Sequence, residues 1–216
     1  MAMNEPVAVA VLAKAPLAGF AKTRLIPALG AGGAALLQAR LVERAVATAC
    51  AAVIGPVTLW ATPDEGHPLF QAIGAHLGVA LARQGDGDLG TRMLAAVAAV
   101  NAPALVIGTD CPALTSEHLR AAADVLRSGA DAVIIPTEDG GYALIGMRAP
   151  AHALFSDMQW SAPSVMAETR RRLRALGLTW QEPVTLWDVD LPRDLERLRA
   201  IGLDHLIPSQ APKRVD

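Results

Sequence analysis

Four aspartates, two lysines and an arginine stand out because each follows closely on an apolar run. Asp110 comes after LVIG in PALVIGTDCP, Asp139 after VIIP in DAVIIPTEDGG, and Asp188 and Asp190 after VTLW in VTLWDVDLPRDL. Carboxylate oxygens suit a hard divalent cation, and magnesium at a nucleotide takes one or two of them plus phosphate oxygens. Asp188 and Asp190 are two residues apart, so in extended chain their side chains share a side. Asp194 falls at the start of a helix, where capping or a favourable dipole contact is the simpler role.

Lys14, Lys22 and Arg24 fall in AKAPLAGFAKTRL, directly after VAVAVL. Gly19 lets backbone N–H groups approach an anion, and the three cations offer charge and a guanidinium fork for a phosphate chain. The stretch has neither a GKS or GKT signature nor a GxGxxG turn. A merely solvated loop is the competing reading, but its place at the end of a strand favours anion binding.

Two further stretches combine glycine with polar groups. In EDGGYALIG, Gly140 and Gly141 let a substrate lie against backbone between Asp139 and Tyr142, and a plain hairpin turn fits the same residues. QGDGDLGTRM can hold a base or ribose around Leu89, Gly90 and Arg92, or can simply cap the helix that follows. Cys111, beside Asp110 and with no histidine in a partner motif, reads as a small buried residue and not a nucleophile. The histidines show no zinc-ligand spacing. The tryptophans read as core, with Trp160 a candidate for stacking on a substrate.

The elements that must position these residues alternate. Strands are expected at 7–12, 56–62, 79–83, 103–108, 131–136, 142–147 and 178–186. Helices are expected over about 33–53, 68–75, 89–100, 116–128 (with Ser116 as N-cap), 164–176 and 192–200. Such alternation predicts a layered α/β fold with a largely parallel sheet, in which ligands bind beyond the carboxyl ends of the strands. The charged residues above all fall at that edge.

Composition supports a buried core: 52% of residues are hydrophobic and 19% charged. A net charge of −2 without a basic stripe gives no electrostatic case for nucleic-acid or membrane-surface partners. The first residues carry no positive region before their short apolar run and read as a strand, not a signal peptide. The alanine-rich stretch 31–54 is interrupted by Arg40, Glu43 and Arg44 and reads as an amphipathic helix. Two cysteines make no disulfide framework, and a cytoplasmic location is expected. Residues 1–207 are expected to form one domain, followed by a polar tail at 208–216.

KAPLAGFAKTRL, DLGTRM, IGTDCPALT, DGGYALIG and WDVDLPRDL, in that order, resemble the bacterial "transferase 1" family associated with radical-SAM and selenodomain proteins. That family is also described as DUF2064 or as an arsenosugar-biosynthesis-type glycosyltransferase. It is similar to the GT-A nucleotide-diphospho-sugar transferases and, more distantly, to guanylyl- and cytidylyltransferases. The resemblance implies a GT-A-like three-layer α/β/α sandwich with a mostly parallel, Rossmann-like sheet. It implies a phosphate site on the loop of Lys14, Gly19, Lys22, Thr23 and Arg24, and Mg2+ or Mn2+ at Asp110 with Asp188 or Asp190.

The expected activity is metal-dependent transfer from a nucleotide-activated donor, with a nucleotide-diphospho-sugar first and a nucleoside triphosphate second. A non-catalytic nucleotide-binding module is the third possibility. Lys22, Asp110 and Asp139 are the expected catalytic residues, with Asp139 as general base. Gly140, Gly141, Tyr142 and Trp160 are expected to meet the donor sugar or a small-molecule acceptor.

Overall fold

The computed structural model describes residues 5–208, so the expected polar tail lies almost wholly outside the described residues. Seven strands form one sheet: β1 (Ala8–Lys14), β2 (Val57–Thr62), β3 (Ala80–Arg83), β4 (Ala104–Ile107), β5 (Ala132–Pro136), β6 (Tyr142–Met147) and β7 (Trp180–Gln181). Their order is β3-β2-β1-β4-β6-β5-β7. All neighbours are parallel except at β6, which runs against both β4 and β5.

Helices cover both faces because the strands are apolar on both sides. In β1, Val9, Val11 and Ala13 pack with α1 (Ile26–Ala52), α2 (Pro68–Leu77) and α4 (Ser116–Arg127). Ala8 and Ala10, one residue out of phase, pack with α3 (Leu89–Ala98), α5 (His152–Phe155) and α6 (Val165–Ala175). A third cluster joins Leu25, Leu37 and Leu41 to Trp187, Val189 and α7 (Asp194–Ala200). The result is the expected three-layer α/β/α arrangement.

By length and composition the segment Thr23–Ala52 is apolar enough to cross a membrane. Its Leu37, Leu41, Val42 and Val46 are buried in the protein, and Gly30 (φ 71°) kinks it. Side chains cap some of the helix starts: the His67 imidazole caps α2 and Asp88 caps α3. The expected cap at Ser116 is corrected by one residue. Thr115 is the N-cap of α4, in a reciprocal capping box with His118.

The expected strand over 178–186 is much shorter. Pro183 has no N–H to give a ladder, so β7 ends at Gln181. The chain rejoins the sheet only at Leu186, bridged to Thr137. The stretch from Leu186 to Asp190 is thereby freed to cross the carboxyl edge.

From β1 the chain builds outward through β2 and β3, then returns to place β4 on the other side of β1. The point between β1 and β4 is where the order reverses, and there the sheet opens a crevice. β6 keeps β5 pointing the same way as β4, which brings the β5–β6 turn to the same edge.

Gly146 makes this arrangement possible. It sits opposite Leu105 of β4 and Val133 of β5, and a Cβ there would stand 2.5 and 2.6 Å from their methyl carbons and 3.2 Å from Leu126 of α4. All three side chains are buried. Gly146→Ala is therefore expected to cost about 1–3 kcal/mol of unfolding free energy. Gly32→Ala, on the exposed face of α1 with nothing within 4 Å, should be neutral or stabilising by about 0.5–1 kcal/mol. Urea titration of both variants checks the pair; equal stabilities would refute the packing argument.

Candidate nucleotide and metal site

The loop after β1 is fastened at both ends before it presents a charge. Ala15 N–H donates to Thr62 O, Phe20 and Ala21 N–H donate to Leu17 O, and Ala21 and Leu25 are buried. Between them Lys22 adopts the left-handed conformation (φ 46°, ψ 46°), unusual for a residue with a side chain. That backbone turns its side chain inward, where it is only 5% exposed.

The Lys22 ammonium ends 2.8 Å from Asp110 Oδ1, 3.3 Å from Asp190 Oδ1 and 2.7 Å from Val189 O. Burial alone would depress its pKa; the two carboxylates and the hydrogen bonds to them outweigh it and hold it above the ordinary lysine value. Lys14 turns back over its own loop towards Phe20 O (3.4 Å). Arg24 is 72% exposed and reaches Asp190 Oδ2 at 3.7 Å.

Hydrogen bonds fix the segments that carry Asp110, Asp139 and Asp190. Val189 N–H donates to Asp110 O (2.8 Å), joining the segment after β7 to the end of β4. The buried Gln38 amide donates to Thr109 Oγ1 (3.2 Å), and that hydroxyl lies 3.5 Å from Asp110 Oδ1. Asp194, in the first turn of α7, accepts from Asp190 and Leu191 N–H (3.0 and 2.7 Å). These precede the helix, so its carboxylate ties down the incoming chain and does not cap α7, whose N-cap is Arg193. Asp139 Oδ1 accepts from Thr137 Oγ1 (2.6 Å) and Gly141 N–H (3.1 Å). Gly140 (φ 91°) permits this turn, since a Cβ would stand 2.0 Å from Pro163 O.

Asp188 is buried and feels the charge of the other carboxylates. Burial first, then the charges of Asp110, Asp139 and Asp190, push it up to about 7 against the opposing pull of Lys22. Four carboxylates against Lys22 and Arg24 leave an excess of negative charge. Oxygen donors carrying such an excess fit Mg2+ or Mn2+. Among the described residues no three such groups already stand in a chelating arrangement, so further oxygen donors are needed.

A second group lies around the start of α3. Asp88 Oδ1 accepts from Thr91 N–H (2.8 Å) and Oγ1 (2.7 Å), and Oδ2 accepts from Trp160 Nε1 (3.0 Å). The Trp160 ring lies so close to Gly90 that a Cβ there would be 2.5 Å from it, and it meets Tyr142 edge-on at 6.5 Å. Arg92 donates to Gly87 O, and Leu89 is exposed. The glycine-rich loop thus caps a helix and seats Trp160. Gly140 and Gly141 join the two groups.

The structure brings Lys22, Arg24, Asp110, Asp139, Asp188 and Asp190 together, and gathers Leu89, Gly90, Arg92, Tyr142 and Trp160 into the second group. Gln38, Thr109 and Asp88 escaped the reading of the sequence. Gln38 left a signal: it shares a helical stripe with Ala34, Leu41 and Val42, all buried.

The chain's family is shown by a profile described as an uncharacterized protein conserved in bacteria (DUF2064), which matches residues 45–162. The chain belongs to this family. No curated protein matches it by sequence. Among solved structures, a protein of Desulfovibrio desulfuricans G20 provisionally described as a nucleotide-diphospho-sugar transferase is 27% identical, with a TM-score of 0.77 over 86% of this chain and 82% of that one.

Two more distant structures share the fold. The 4-diphosphocytidyl-2C-methyl-D-erythritol synthase of Anaerococcus prevotii is 12% identical, with a TM-score of 0.61, covering 93% of this chain and 98% of its own. Glucosyl-3-phosphoglycerate synthase of Mycobacterium tuberculosis, solved with Mn2+, UDP and glucosyl-3-phosphoglycerate, is 10% identical. Its TM-score is 0.53, over 95% of this chain and 81% of that one. The likeness to the Desulfovibrio protein supports a nucleotide-using transferase in general terms.

Cys111 gives a direct test of which chemistry this edge carries. Burial, aided by the nearby Asp188 charge, pushes its thiol up to about 12, so almost no thiolate exists at neutral pH. Iodoacetamide at pH 8 is expected to leave Cys111 unmodified in the folded protein and to label it after denaturation. Rapid native-state labelling, read by peptide mass spectrometry, would restore a nucleophilic role.

Proposed function

We propose that this protein is a metal-dependent transferase whose donor is a nucleotide-diphospho-sugar. The observation that carries the reading is the set of carboxylates converging with Lys22 and Arg24 at the point where the sheet order reverses. Mg2+ or Mn2+, held by Asp110 with Asp188 or Asp190, would supply charge for the departing nucleoside diphosphate. Arg24 and Lys14, both on the accessible side of the loop, would hold its phosphates, with Gly19 and Thr23 offering backbone and hydroxyl donors.

Asp139 is held in one orientation by Thr137 and Gly141, and would take the proton from an acceptor hydroxyl. Gly140, Gly141 and Tyr142 would line the sugar or acceptor, with Trp160 as a wall. The Tyr142 hydroxyl is pushed up by burial and stays neutral, so it can wall the site but not act as its base. The likeness to the Desulfovibrio protein supports a sugar-nucleotide donor, and the Mn2+ and UDP of the mycobacterial synthase support a divalent metal. We place the protein in the cytoplasm and residues 1–207 in one transferase domain; its free cysteines, Cys50 and Cys111, go with a reducing compartment.

Nucleotidyl transfer is the second reading, favoured by three cations in one loop, which suit a triphosphate. There the acceptor attacks the α-phosphorus and pyrophosphate leaves. Incubation with UDP- or GDP-sugars should release nucleoside diphosphate. Pyrophosphate from nucleoside triphosphates would move the assignment to the second reading, and tight metal-free binding without turnover would favour a non-catalytic module.

The negative excess gives a second expectation: metal and nucleotide should each raise the other's affinity by the same factor. Nucleotide titrations at several Mn2+ concentrations should show this, and Asp110→Asn should abolish it. Arg24→Ala should weaken nucleotide binding roughly ten- to hundredfold, the scale of one charge-assisted phosphate contact. Wild-type affinity independent of metal would refute both transfer readings.

A further inference from the structure

The place between Asp110 and Asp190 already contains a cation. The Lys22 ammonium has three N–H donors and three acceptors around it: Asp110 Oδ1 at 2.8 Å, Asp190 Oδ1 at 3.3 Å and Val189 O at 2.7 Å. Its side chain is 5% exposed while the two carboxylates are 49% and 38% exposed. Every donor being used, Lys22 has none to offer a phosphate in this state. Two carboxylate oxygens and a carbonyl are also an oxygen set of the kind a hard divalent cation takes. An ammonium and a dication cannot share it, since at such separations their repulsion is large.

We propose that Lys22 is a displaceable stand-in for the divalent cation. It holds Asp110 and Asp190 together in the metal-free protein, and the arriving metal releases its ammonium towards the nucleotide phosphates. The exchange needs no movement of the sheet. Lys22 is fixed by its own left-handed backbone and by the buried residues Ala21 and Leu25 on either side. Only its four-carbon stem has to swing, towards the exposed turn of Ala18 and Gly19.

Two consequences separate a stand-in from a permanent strut. A stand-in competes with metal, so removing its charge should strengthen metal binding even without nucleotide. A strut holds the carboxylates in place, so removing it should leave metal binding unchanged or weaker. Exchange also supplies part of the expected coupling, because a phosphate that accepts the released ammonium makes the metal harder to expel.

The proposal rests on the metal-dependent reading of the site, and its test uses Mn2+ alone. Lys22→Met keeps the stem and removes the charge. Titration of Mn2+ without nucleotide, followed by the paramagnetic resonance of the free ion, should show the variant binding about tenfold more tightly than wild type, the scale of one charge-assisted hydrogen bond. Adding Asp110→Asn to Lys22→Met should remove the gain, placing the metal at the same carboxylates. Equal or weaker Mn2+ affinity in Lys22→Met would overturn the proposal. A gain that depends on Asp110, together with no product from sugar nucleotides or triphosphates, would sustain the exchange and sink the transferase reading.

Should Lys22→Met fail to fold, the wild-type protein decides. Reductive methylation with formaldehyde should label Lys22 more slowly than Lys14 in metal-free protein and several-fold faster at saturating Mn2+. Labelling of Lys22 that does not respond to Mn2+ would overturn the exchange.

Discussion

One ammonium group sets the shape of the carboxyl edge. The chain sections ending at Lys22, Asp110 and Asp190 are far apart in sequence, and without a positive charge between them the two aspartates would repel. Lys22 resolves this through a left-handed backbone that aims its side chain inward. Such a conformation costs about 1–2 kcal/mol for a residue with a Cβ. It persists because buried Ala21 and Leu25 fix the chain on both sides and because the ammonium gains three oxygen partners. Strain of this kind, held by an over-determined surrounding, is characteristic of sites where geometry serves binding.

The sheet supplies the rest of the constraint. β1 and β4 are neighbours only because the chain reverses its direction of growth between β3 and β4. That reversal puts the β1 loop and the Asp110 turn side by side and leaves a crevice between them. The antiparallel β6 then carries the β5–β6 turn to the same edge, so Asp139 joins the group without a long connection. The final segment completes it by crossing beyond the strands: Val189 N–H bonds to Asp110 O, and Leu186 N–H to Pro136 O. A continuous β7 would have kept Asp188 and Asp190 in a ladder, and Pro183 prevents that.

Most of this was legible in the residues. Apolar runs of four to seven residues alternating with helical stripes imply the layered sheet, and a carboxylate or cation straight after such a run implies the edge. The short β7 depended on one missing N–H within an otherwise good strand pattern, which periodicity alone does not weigh. The pairing of Lys22 with Asp110 and Asp190 was hidden for a different reason. Long-range ion pairs leave no local trace, and a lysine in a loop ordinarily reads as solvated. Gln38 was legible only as a polar residue on the apolar stripe of Ala34, Leu41 and Val42; its partner Thr109, 71 residues away, left no local trace.

The two halves of the edge differ in what they can discriminate. The charged half, from Lys22 to Asp190, can select only by charge and position; on the proposed reading, any phosphate-bearing donor with a metal would satisfy it. The half around Asp88 and Trp160 is shaped instead by close packing. Gly90 admits the Trp160 ring, Tyr142 meets it edge-on, and Asp88 ties it to the start of α3. The loop carrying Trp160 is fastened again where Pro163 O lies against Gly140, and it uses left-handed conformations at Asp157 and Ser161. A wall fixed at both ends selects by shape, because a poorly fitting group cannot be accommodated by a small shift. Gly140 therefore couples the halves: it holds the Asp139 turn on one side and the Trp160 loop on the other. Any change in that loop should reach Asp139 before it reaches Asp110, so on the proposed reading the choice of acceptor could diverge within this fold while the phosphate and metal chemistry stayed fixed.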